Sequence, residues 1–169
     1  IIKLGLMVKE ECEVDGIWIT DDLGAQKAPY FSPQQYRQIF KENHRKMVEA
    51  FKKAGLKVTF HSHGNIMPLF QDLVEVGFGS IDPHDSYDGM DFPALKKEFG
   101  EAVTLKGGIS CTIGQMNKEE LKEHIGEVVK IGGDRRFILS GAGGVPPEMT
   151  LENFNHYREL IYKARRSEL

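Results

Sequence analysis

This sequence predicts an α/β domain built from parallel βαβ units, and three observations predict it. Short apolar stretches rich in β-branched and aromatic residues punctuate the chain, as strands do. Each is followed by a segment whose apolar residues recur at helical spacing. The strand-plus-helix units repeat at roughly 25 to 45 residues, the length such a unit needs. A chain that alternates in this way assembles as a parallel sheet with helices packed against it.

Taken in order, Ile17-Trp-Ile-Thr20 reads as the first strand, closed by the turn Asp21-Asp22-Leu-Gly24. Ser32-Pro33-Gln34-Gln35 combines an N-cap serine, proline at the first helical position and glutamine three residues after the cap. From there Tyr36, Ile39, Phe40, Met47, Ala50, Phe51 and Ala54 carry one helix to Gly55. The second strand, 57–62, runs into His61-Ser-His63-Gly64. Asn65 caps a short helix through Val76, and Gly77 to Asp82 supplies the third strand, with a loop from Pro83 to Met90. Asp91 opens the helix of Leu95 and Phe99, and Ala102 to Lys106 forms the fourth strand, ahead of Gly107-Gly108. Asn117 with Glu120 is a second capping box, opening the helix of Leu121, Ile125, Val128 and Val129. Arg136 to Leu139 is the fifth strand. The glycine-rich loop Ser140 to Gly144 follows it, and Thr150 caps a last helix containing Phe154, Tyr157, Leu160 and Ile161.

Composition narrows the function classes. A chain of 169 residues with 40% hydrophobic content supports one domain, 1–169, with a real core. A net charge of −3 gives no electrostatic reason to expect nucleic acid or an anionic membrane as partner. No run of apolar residues is long enough to span a bilayer, and Ile1 to Met7 lacks the pattern of a signal peptide. Cys12 and Cys111 have no CxxC spacing, which favours free thiols in a reducing cytoplasm. Cys12 is expected to be structural. The start at Ile1 rather than Met is expected to mark a processed or truncated chain.

Two architectures accept the pattern, an open doubly wound sheet or part of an eight-stranded barrel, and both put the loops after the strands on one ligand-binding rim. That rim collects Asp21 and Asp22 after the first strand, and His61, His63 and Asn65 after the second. Asp82, His84 and Asp85 follow the third, Cys111 the fourth, and Ser140 to Gly144 the fifth. His61 and His63 are two apart on a strand, so they share a face and can both ligate a metal such as zinc. The plainer alternative has one histidine hydrogen-bonded and the other solvated.

Asp22 keeps the phase of Trp18 and Thr20 while Ile17 and Ile19 suit the helices. That makes Asp22 an inward-facing general base or partner to a histidine, and Asp21 a turn residue. Cys111 can act as a third metal ligand or as a small buried residue. Gly141, Gly143 and Gly144 either let a cofactor or substrate approach closely or form a tight turn needing positive φ. His44, His124 and His156 fall on helices and are expected to be solvated.

The motifs Trp18-Ile-Thr-Asp-Asp-Leu-Gly-Ala-Gln26, Ser32-Pro33, Ala54-Gly-Leu-Lys-Val58, His61-Ser-His-Gly-Asn65, Gly89-Met-Asp91, Leu95-Lys-Lys-Glu-Phe-Gly100 and Gly107-Gly108-Ile109 occur in one order. In that order the chain resembles the uroporphyrinogen decarboxylase superfamily, from about Asp15 to Tyr162. The superfamily includes the decarboxylase itself and the zinc-dependent, corrinoid-linked methyltransferases. The resemblance implies a (β/α)8 TIM-type barrel, of which this chain supplies about five βα units, the C-terminal half.

Five strands leave two open edges. N-terminal strands of the parent barrel or a homo-oligomeric partner are expected to cover them.

For activity, the methyltransferase resemblance implies a thiol activated on zinc and methylated from a corrinoid protein. His61 matches the first zinc ligand, His63 stands where a cysteine is usual, and the place of a second cysteine falls on Gly143. The decarboxylase resemblance implies a metal-free cleft for a polycarboxylated tetrapyrrole, but its arginine pair belongs to the other half and its last-loop histidine again falls on Gly143. Arg135 and Arg136 precede their strand, on the opposite rim. The expectation is therefore methyl transfer at His61, His63 and Cys111 or Asp22 with zinc and a small-molecule substrate. Decarboxylation by a complete barrel and a noncatalytic binding domain are the alternatives.

Overall fold

The computed structural model describes residues 1–169. Five strands, β1 (Gly16–Thr20), β2 (Lys57–His61), β3 (Ser80–Asp82), β4 (Thr104–Ile109) and β5 (Phe137–Gly141), form one sheet in the order β1-β2-β3-β4-β5, every pair parallel. Strand order equal to chain order contains no switch point, whereas a doubly wound sheet reverses direction at one. The sheet is thus an arc of a (β/α) barrel, with β1 and β5 as its two free edges.

Helix coverage agrees. Ile19, Val58, Phe60, Ile81 and Leu105 are buried in the main core, with Ile17, Phe137 and Leu139 packed against it. Residues of the opposite phase, Trp18 and Ile138, are 57% and 47% exposed. All helices therefore lie on one face, as on the outside of a barrel.

Local signals set the helices. Ser32 and Gln35 close the expected capping box on α2 (Pro33–Ile39), and Asn117 with Glu120 does the same for α6 (Lys118–Gly132). Asp91 caps α5 (Phe92–Phe99) through the Ala94 amide, and Thr150 caps α7 (Leu151–Arg165) through that of Asn153. The single helix expected from Tyr36 to Ala54 is instead two, α2 and α3 (Lys41–Lys53), which meet at Phe40. Phe40 packs there on Phe31 and Tyr36. A further helix, α1 (Ile2–Glu11), precedes β1 outside the expected elements and ends at Cys12, which is exposed rather than buried structure.

Asn65 accepts the Met67 amide at the start of a 3₁₀ turn that leads into α4 (Phe70–Val76). Fully buried Phe51, Phe60 and Phe70 anchor the layer between helices and sheet, each contributing about 1.5–3 kcal/mol by leaving water. A second, smaller core of Ile109, Ile113, Leu121, Ile125 and Leu160 joins α6 and α7 to the end of β4.

Candidate active site

On the concave face of the sheet, Trp18 from β1, His61 from β2 and Lys106 from β4 gather around Asp82 of β3. Register places Thr20, His61 and Asp82 side by side across β1, β2 and β3. Lys106 is one residue on from the Ile81–Leu105 pair. The Asp82 side chain is only 5% exposed, where an unpaired carboxylate would be costly. Trp18 Nε1 donates to its Oδ1 at 3.1 Å and Lys106 Nζ to its Oδ2 at 2.6 Å. The Lys106 ammonium also lies over the Trp18 ring, 4.2 Å from the centroid, a cation–π contact.

His61 completes the group. Its Nδ1 is 3.4 Å from Asp82 Oδ1 but off the line of a hydrogen bond, so it is a buried ring nitrogen without a hydrogen-bond partner. Its ring meets those of Trp18 and His63 edge to face, with centroids 5.5 and 4.7 Å away.

The loop bearing His63 is held by its neighbours on both sides. Asp22 Oδ1 accepts the His63 amide at 2.8 Å and Asp88 Oδ2 the Gly64 amide at 3.2 Å. The Asn65 amide donates to the Ala25 carbonyl at 2.7 Å, and the Asn65 side chain donates to that of Gly89. Gly64 has φ +79° and lies so close to Gly24 that a Cβ would collide with that backbone. Asp22 is thus on the rim as expected, tied to the backbone of a histidine. Asp21 faces the helices, with Oδ2 3.3 Å from His44 Nε2.

Cys111 begins a 3₁₀ turn beyond β4, where its amide donates to Asp85 Oδ2. Desolvation and the Asp85 carboxylate push its thiol up to about 11, so it is a thiol, not a thiolate, at neutral pH. No three of the chain's His, Cys, Asp and Glu side chains converge as a metal cage, so Cys111 does not join His61 and His63.

Gly141, Gly143 and Gly144 do not have positive φ, so the tight-turn reading of that loop fails. Their loop covers a cavity shared with Ser110, Cys111 and Tyr157.

The helix and loop histidines depart from expectation. His44 is 3% exposed, with Nδ1 2.9 Å from the Tyr36 hydroxyl. Burial lowers its pKa although Asp21 opposes the shift. His124 accepts the Ser110 amide through Nε2 at 3.0 Å. His84 is buried between Phe70 and Phe92, away from the rim surface, and burial lowers its pKa to about 4. The Ile81 carbonyl favours its charged form without closing a hydrogen bond.

Sequence reasoning missed Trp18 and Lys106 as site residues. A lysine inside an otherwise apolar strand was the available signal for Lys106.

The family profile of uroporphyrinogen decarboxylase (URO-D) matches residues 7–164. The chain belongs to the uroporphyrinogen decarboxylase family. A methyltransferase from Methanosarcina mazei is similar in structure with a TM-score of 0.71 and 22% identity, covering 91% of this chain and 43% of that one. The IOLI protein with a binding zinc atom is similar with a TM-score of 0.56 and 13% identity, covering 99% of this chain and 69% of that one. At such identities the likeness is one of fold. No curated protein matches the chain. The chain spans 43% of the length of that methyltransferase.

Within this URO-D family chain, zinc meets a divided donor set. His61 and His63 offer two nitrogens from one strand end, and the orphaned Nδ1 of His61 beside Asp82 has the form of a carboxylate-oriented metal ligand. A catalytic zinc takes about three protein ligands, and the third is not among the side chains gathered here. The residues of this chain alone do not make a complete zinc site.

Proposed function

We propose that the concave face is one wall of the active site of a methyl-transferring member of the URO-D family, acting on a small molecule that bears a thiol. The pairing of His61 with His63 at the end of β2, with Asp82 behind His61, supports this reading most directly. Zinc or another divalent ion held there would lower the pKa of the substrate thiol and keep it as a nucleophile toward a methyl group carried on a corrinoid protein. Its third donor would have to come from outside the side chains gathered here.

The chain's own side chains supply the positioning. In this reading Asp82, 3.4 Å from His61 Nδ1, favours the tautomer protonated there and would leave the Nε2 lone pair for a ligand. Trp18 and Lys106 hold the Asp82 side chain fixed. Asp22 acts as a positioning residue that fixes the backbone of His63, rather than as a free base.

Decarboxylation of a polycarboxylated tetrapyrrole suits this wall less well. Lys57 and Lys106 are the cations of the concave pocket, and Lys106 is already taken by Asp82. The open edges of β1 and β5 are covered, in this reading, by further strands or a second copy of the chain. A monodisperse monomer of ordinary stability in the ultracentrifuge would count against that cover.

The test is metal content by plasma mass spectrometry on untagged protein after equilibration with zinc, alongside His61→Ala and His63→Ala. Binding that disappears in either variant is expected. Occupancy unchanged in His61→Ala would overturn the reading.

A further inference from the structure

His84 has no part in the chemistry proposed at His61, and within the chain it has no partner. Its side chain is 1% exposed, stacked on Phe92 and edge-on to Phe70. Neither Nδ1 nor Nε2 makes a hydrogen bond with the chain, although buried polar groups are as a rule paired. The Ile81 carbonyl favours a proton on the ring nitrogen nearest it. In that tautomer the other nitrogen is a buried lone pair that lacks a donor.

A cavity of about 300 Å³ adjoins this ring, a size that admits a small organic ligand. It lies on the helix side of the sheet, between the start of α5 and the second half of α6, apart from the concave face that carries His61. Buried Met90, Phe92 and Val128 surround His84 at the inner end, and exposed Asp91 and Glu127 stand at the mouth. No lysine or arginine lines the cavity to neutralise these carboxylates.

The walls select among occupants. His124 also lines the cavity, but its Nε2 is taken by the Ser110 amide, and no three of these side chains converge on a metal ion. An anion finds little at the start of α5, because Pro93 has no amide hydrogen and Asp91 takes up those of Ala94 and Leu95. His84 calls for a donor, the mouth for positive charge and the inner walls for an apolar body. An ammonium has only donors, and its hydrogen bonds are about twice as strong as neutral ones.

We propose that this cavity is a binding site for a small organic amine in its protonated form. Its N–H groups satisfy His84, Asp91 and Glu127 balance its charge, and Met90, Phe92 and Val128 enclose its carbon skeleton. The site stands whether or not His61 and His63 take a metal, because it shares no residue with them.

Separate titrations near neutral pH with butylamine, butyrate and butanol, followed by the His84 ring nitrogens in long-range ¹H–¹⁵N NMR, test it. A saturable shift is expected with butylamine, at an affinity about tenfold or more above that of butanol, and none with butyrate. His84→Leu keeps an apolar side chain in the core and should weaken butylamine binding, read at the Phe92 and Val128 amides, by about tenfold, the loss of one charge-assisted hydrogen bond. Glu127→Gln, at an exposed position where folding is not at stake, should weaken butylamine by about threefold and leave butanol unchanged. Saturation by butyrate, no preference for butylamine over butanol, no saturable shift with butylamine, or unchanged affinity in both variants would overturn the assignment.

Discussion

The loop after β2 and the loop after β5 leave the same rim of the same sheet, and both turn on glycine, but glycine serves opposite ends in them. Gly64 is required from within, by a φ of +79° and by the backbone of Gly24 pressed against it. Gly143 and Gly144 are required by nothing within the chain. The first loop is built in advance: Asp22, Asp88 and Ala25 take up its amides one after another. The second keeps its amides free. One loop ties its amides to protein acceptors, and the other leaves them open to solvent.

The largest effect that would sharpen this contrast is Gly64→Ala. Positive φ costs an alanine about 1–2 kcal/mol, and overpacking against Gly24 adds about 1–3 kcal/mol, so urea denaturation should lose about 3 kcal/mol or more. A loss within experimental error would mean that the His63 loop is not clamped as described.

Acid acts next on the same loop. His84 roots the segment that supplies Asp88 and Gly89 to the clamp. Burial lowers its pKa from 6.5 to about 4, so the unfolded chain takes up its proton first as pH falls. Above pH 6.5 both states are neutral and His84 adds no pH dependence. Between about 6.5 and 4, stability should fall by about 1.4 kcal/mol per pH unit. His84→Leu should flatten that slope. Corrected for intrinsic rates, amide exchange at His63 and Gly64 should quicken over the same interval, while Gly143 to Val145 stay fast throughout.

Asp22→Ala is smaller still. It removes one charged acceptor at an exposed site, and about 1 kcal/mol of stability should go with it. The informative readout is local: exchange protection at the His63 amide should be lost while the fold persists. Zinc affinity should fall with it if His63 is a ligand. Protection retained at that amide would show that Gly24 and Asp88 hold the loop without Asp22.

These contrasts also mark what the chain discloses before it folds. Caps at Ser32, Asp91, Asn117 and Thr150 are local chemistry, and each is found where the residues indicate. The His61 and His63 pair and the inward phase of Trp18 follow from period two in a strand. The group around Asp82 was not legible, because Trp18, His61 and Lys106 meet it only through the registers of three separate strand pairs. His44 looked solvated for a similar reason: the surface α3 presents depends on which groups face it, and Tyr36, Phe60 and Phe78 surround that ring. The glycine loop misled in the opposite way. A glycine cluster signals positive φ in most turns, and here none of the three has it.

That last difference yields the smallest expected change in stability. At a position with negative φ and nothing near its Cβ, replacing glycine by alanine restricts the unfolded chain and strains nothing. Gly143→Ala should therefore leave stability unchanged or raise it by about 0.5 kcal/mol, against the loss of about 3 kcal/mol expected for Gly64→Ala. A matched pair of thermal melts reads both. If Gly143→Ala proved as damaging as Gly64→Ala, the loop after β5 would be internally constrained after all. If the melts differ as expected, glycine at that rim position is not required by how the chain folds, whereas at position 64 it is.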